Sequence, residues 1–197
     1  MIRAGRRPAA VILATMLAAP GGAGASREHG ERPEPRSFKR SVEEYVELHK
    51  SVRAGLPPLD VSSEPTHFIK ASDRLASAIR DARRGARAGD VFNPVVAATF
   101  HARINYALRD PDRRKRIIER LTEVEDDEDE RPPAGWRPVV NGTLDWFSTG
   151  ATPHTILEAL PELPDELQYR FVGLDLILLD VDANLIVDIL PAAVSAK

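Results

Sequence analysis

Four aspartates, Asp175, Asp180, Asp182 and Asp188, stand inside the most apolar stretch of the chain, "FVGLDLILLDVDANLIVDIL" (171–190). Carboxylates in such surroundings can bind a metal, exchange protons or terminate structural elements. Asp180, Asp182 and Asn184 supply oxygen donors at the first three ligand positions of a calcium loop. The match ends there: Leu185 stands where the loop needs glycine, and Pro191 where it needs a bidentate glutamate. These three residues are weak metal candidates only, and a weak calcium-binding protein is one alternative reading of the chain.

Acid–base catalysis needs two titratable groups in different environments, one of them desolvated. Asp180 and Asp182 qualify by their apolar neighbours, and His101 is the third candidate, because His101 and Asn105 share one helix flank at i, i+4. Together they define the catalytic alternative, an envelope-associated hydrolase. The remaining histidines, His29, His49, His67 and His154, form no short metal pattern such as HExxH. His49 reads as a packing residue on an apolar helical stripe. Ser148 lacks the GxSxG context of a nucleophile elbow, and no glycine-rich phosphate loop or other cofactor motif is present. The reading that accounts for most of the aspartates is structural: Asp175 beside a turn, Asp180 at a strand end, Asp182 capping a helix and Asp188 facing outward.

The elements that must position these residues begin with an address. Arg3, Arg6 and Arg7 precede an apolar core, Ala9–Ala19, and Ala23-Gly24-Ala25 forms a small-x-small site. Residues 1–25 therefore read as a secretory signal peptide, too short in its core for the roughly 20 residues of a membrane span. Cleavage would place the protein in the periplasm or outside the cell, with no transmembrane anchor. It would take three arginines and no acids from a chain of 27 basic and 30 acidic residues, leaving a net charge of −6. An acidic chain is not built for nucleic acid, and the absence of cysteine removes disulfides and thiol chemistry.

Residues 26–40 read as a disordered leader and 41–124 as a helical region. A first helix over 41–54 has a Ser41/Glu44 capping box and a stripe of Val42, Tyr45, His49 and Val52. A second over 64–84 carries Phe68, Ala71, Leu75, Ala78, Ile79 and Ala82. Asn93-Pro94 opens a third, with Val96, Phe100, Ile104 and Leu108 at i+4 spacing, and Asp110-Pro111 a fourth. "EVEDDEDE" (123–130) then begins an acidic linker, 125–135, followed by a small α+β region, 136–197. In it, Asn141-Gly142 signals a hairpin between "WRPVV" and "TLDWF". Gly173-Leu174 signals a second hairpin, whose register sets Phe171 opposite Leu176 and Tyr169 opposite Leu178, with an Arg170–Asp175 pair on the other side. From Asp182 the period fits a helix through Leu185, Ile186, Ile189 and Leu190, although the Ile and Val content also allows a strand over 184–190.

In order along the chain, "AGDVFNP", "VVNG", "LPELPDELQYRFVGLDLILLD" and "ANLIVDIL" resemble an uncharacterised family of exported bacterial proteins with no assigned activity. The likeness covers residues 65–191 and is most specific at its C-terminal block, while the acidic run and "TLDWFS" depart from it. The resemblance implies a bacterial envelope setting and carries over no catalytic residue. The expected fold is α+β, an N-terminal bundle of three to four helices followed by an antiparallel hairpin unit with a C-terminal helix. The expected role is a non-enzymatic binding or structural module without cofactor, whose partner would be another envelope protein.

Overall fold

Why the segment around Asp188 forms a strand is visible in what covers it. In a computed structural model describing residues 35–57, 65–122, 136–144 and 152–195, residues 185–190 are buried on both faces. A strand enclosed on two sides shows no polar alternation, so its sequence reads as a continuous apolar run. The helix expected over this stretch is therefore absent, and the alternative of a third strand is the one realised. The segments read as signal peptide and acidic linker, and most of the leader, lie outside the described residues. All described residues belong to one compact unit.

The architecture is mixed helix and sheet. Four helices come first: α1 (Arg36–Ala54), α2 (Pro65–Ala82), α3 (Pro94–Ala107) and α4 (Pro111–Thr122). A single-turn α5 (His154–Leu157) precedes an antiparallel sheet in the order β1 (Leu167–Val172), β2 (Asp175–Asp180), β3 (Leu185–Leu190). Helix α1 begins at Arg36, so Ser41 lies inside it and caps nothing. The reason is Phe38, fully buried, which extends the stripe Val42, Tyr45, Val46 and His49 by another turn. α3 starts as its sequence predicts, with the Asn93 side chain accepting the Val95 and Val96 N–H groups.

The β1–β2 register is the one read from Gly173-Leu174, with Tyr169 opposite Leu178 and Phe171 opposite Leu176. Gly173 takes φ +56° at the first turn position, which fits a turn demanding a left-handed residue there. The expected Arg170–Asp175 pair does not form; Asp175 instead accepts the Ala192 N–H at 2.7 Å. One sheet face turns Leu167, Tyr169, Phe171, Leu176, Leu178 and Leu185 into a core shared with the helices. Phe38, Phe92, Phe100 and Tyr169 form a chain of ring contacts through that core, so α3 covers the sheet. α2 lies against α1, and its Leu75, Ala76 and Ile79 join the same core as Val96, Phe100 and Ile104 of α3.

The other sheet face carries Ile177, Leu179, Ile186 and Ile189 under Trp136, Val140 and Leu144. The cover comes from the Asn141-Gly142 segment, whose second arm continues beyond the described residues. Asn141 adopts φ 64°, but among the described residues the segment pairs with β3. The Asn141 N–H donates to the Ile186 carbonyl, the Ile186 N–H donates to that of Gly142, and Thr143 bridges Leu185.

Asp188 corrects a second expectation, because it faces inward. A register shift between Leu178 and Leu179 leaves Val187 without a partner and sets Asp188 opposite Leu178. Its buried carboxylate accepts backbone N–H groups from Gly89, Val91, Phe92 and Ile189 at 2.7–2.8 Å. An amide at this position would turn an NH₂ group toward donors. Asp188→Asn should therefore cost about 3 kcal/mol in urea unfolding. A loss below about 1 kcal/mol would show that this carboxylate does not fasten the α2–α3 loop.

Candidate functional site

The stripe of α1 delivers three polar groups at i, i+4 and i+8: Tyr45, His49 and Arg53. Residues at this spacing lie on one helix face, and here that face meets the turn between β2 and β3. Asp180, the last residue of β2, shares the parity of Leu176 and Leu178 and so points into the helix-facing core. Its Oδ2 accepts the Tyr45 hydroxyl at 2.7 Å and His49 Nδ1 at 2.6 Å, and its Oδ1 accepts the Ala183 N–H at 2.9 Å. Asp180 is 0% exposed and His49 1%.

Asp182 caps no helix. Its carboxylate takes an ion pair from Arg53 and lies 3.6 Å from His49 Nε2. Lys50 reaches Glu166 at 3.5 Å, and the Val181 N–H donates to the Glu166 carbonyl, which fixes the approach to β1. Behind Tyr45, the Arg83 guanidinium lies over the ring at 4.9 Å from its centroid. It also donates to Asn141 Oδ1 and to the Val187 carbonyl.

The electrostatics follow from this geometry. The hydrogen bond to Asp180 raises the pKa of His49 against the opposing effect of burial, with Asp180, Asp182 and Glu166 adding in the same direction. Burial, reinforced by Asp180, pushes the Tyr45 hydroxyl far upward and keeps it a donor. Burial lowers the pKa of Arg83. The imidazole thus lies between two carboxylates that favour its protonated form.

An aspartate–histidine pair can orient a general base when the second ring nitrogen faces a nucleophile. Here Nε2 faces another carboxylate, and no serine or threonine hydroxyl bonds His49 among the described residues. His101, the histidine singled out from sequence, is partly buried on α3, and no hydrogen bond or ion pair joins it to Asp180 or Asp182. Of the calcium-loop candidates, Asp180 has both oxygens engaged by protein donors, while Asn184 donates its Nδ2 to the Leu144 carbonyl and leaves its Oδ1, the atom a cation would use, buried without a hydrogen-bond partner among the described residues. No group of three or more metal-ligating side chains occurs among the described residues.

Asp182 and Arg53 also line a groove of about 430 Å³ between the C-terminal end of α1 and α2. Leu56, Phe68 and Ala71 provide its apolar lining, and Arg74 adds a second guanidinium. Phe68 was expected to face the core with Leu75 and Ile79, yet it is 65% exposed. No family model, curated protein or solved structure matches this chain.

A histidine whose pKa is raised on folding contributes its full stabilisation below the unfolded-state value, about 6.5. That contribution is lost as pH rises through the folded-state value. The stability difference between the wild type and His49→Gln in urea should therefore be largest near pH 6 and shrink as pH rises above the unfolded-state value. A difference independent of pH would mean that folding leaves the His49 pKa unchanged, and one that grows with rising pH would mean that the folded protein holds the imidazole neutral.

Proposed function

We propose that this chain is an exported bacterial envelope protein that works as a non-enzymatic binding module, with the α1–α2 groove as its binding face. The observation that carries the reading is the contrast between the two polar regions that meet at Asp182. The Tyr45–His49–Asp180 cluster is sealed and its acceptors are engaged from within, which suits a structural tie. The groove beside it is concave, apolar and rimmed by a few charges, and its volume falls within the roughly 300–1,000 Å³ of small-molecule sites. Export rests on the arginine-led, Ala9–Ala19 apolar segment and the Ala23-Gly24-Ala25 site. Among the described residues no helix is long and apolar enough to cross a membrane.

Recovered from the exported fraction, the protein should begin at Ser26. Native mass spectrometry should show a non-covalent adduct, which Ala71→Trp removes by filling the groove while the thermal unfolding curve is retained. An intact Met1 in the cytoplasm would contradict the export reading. An adduct that survives Ala71→Trp, or no adduct on the wild type, would contradict the groove reading.

A further inference from the structure

The groove is asymmetric in charge as well as in shape. Its apolar wall is built by Leu56, Phe68 and Ala71, and its charged lining is Arg53, Arg74 and Asp182. Two guanidinium groups therefore stand against one carboxylate. That carboxylate already faces inward toward His49 Nε2 at 3.6 Å as well as toward Arg53. Arg74 uses its Nε on the Lys70 carbonyl at 3.1 Å and makes no ion pair among the described residues. A guanidinium held by its Nε keeps its terminal nitrogens in a planar fork, the geometry that receives carboxylate or phosphate oxygens. Phe68, which lines the groove, is 65% exposed, a large apolar side chain left in water.

We propose that the groove binds a single-chain anionic amphiphile, with its apolar chain along Leu56, Phe68 and Ala71 and its charged head between Arg53 and Arg74. The inference rests on the groove being the binding face and adds the chemical class of its occupant. Charge complementarity selects the anion. A monomeric ligand is favoured over a bilayer surface because the site is concave and the exported chain, from Ser26, carries a net charge of −6, which opposes approach to an anionic membrane. The head group competes with Asp182 for Arg53, so binding draws on a cation that the fold already holds in place.

The test is calorimetric titration of the full exported chain with dodecanoate, dodecyltrimethylammonium and dodecyl maltoside. Each is kept below its micelle concentration, and anionic phospholipid vesicles form a separate arm. Dodecanoate should bind roughly tenfold or more tightly than the cationic probe, and Arg74→Glu should abolish that preference while the protein stays folded. Equal affinity for the two charged probes would overturn the assignment of an anionic ligand and leave the groove reading standing. Binding to vesicles without binding to monomeric dodecanoate would overturn it in favour of a membrane surface. Heat from none of the probes would also overturn it, and the adduct experiment with Ala71→Trp then decides separately whether the groove binds anything.

Discussion

The carboxylate of Asp180 is the constraint on which the surrounding structure depends. Enclosing a carboxylate completely costs several kcal/mol in lost hydration, and this one is 0% exposed. The cost is offset only while Tyr45, His49 and the Ala183 N–H all remain in place. Hydrogen bonds to charged groups contribute about 1.5–3 kcal/mol each, and removing one partner leaves the others facing an unsatisfied site. Helix α1 is thereby tied in position and rotation to a turn more than a hundred residues later in the chain. Apolar packing along Phe38, Val42 and Val46 is non-directional and could not by itself specify that alignment.

Two further polar ties work in the same way at neighbouring junctions. Asp188 gathers the backbone N–H groups of the α2–α3 loop onto β3. Arg83 joins the end of α2 to Tyr45, to Asn141 and to the Val187 carbonyl. Each tie connects a helical segment to the sheet through a buried or partly buried charge whose partners are mainly backbone groups or neutral side chains. The groove follows from this arrangement. The cluster holds Asp182 beside Arg53 at the end of α1, and α2 packs beside that helix, so the concave surface between them has both a charged and an apolar lining.

Much of this was legible in the residues, and the failures have identifiable physical causes. Helices α2, α3 and α4 followed from proline, asparagine and 3.6-residue spacing, and the β1–β2 hairpin followed from Gly173-Leu174 down to its cross-strand pairs. That same register sets Leu167 opposite Asp180, on the face of Tyr169 and Leu178, so the inward direction of Asp180 was already implied by the turn. Its partners could have been sought on the Tyr45/His49 stripe, where a tyrosine and a histidine at i, i+4 are the donors a buried carboxylate needs. β3 was ambiguous because enclosure on both faces removes the alternation that marks a strand. The inward Asp188 depends on a bulge that local pattern does not encode. The exposure of Phe68 is set by tertiary packing, which the 3.6-residue stripe does not encode.

The central claim is that Asp180 and His49 act as one structural unit joining α1 to the sheet, and a double-mutant cycle tests it most directly. Urea unfolding of the wild type, Asp180→Asn, His49→Gln and the double variant near pH 6 gives their coupling energy. The structure predicts a coupling of about 2 kcal/mol or more, the double variant losing little beyond the worse single one. Additive losses agreeing within about 0.5 kcal/mol would contradict the claim.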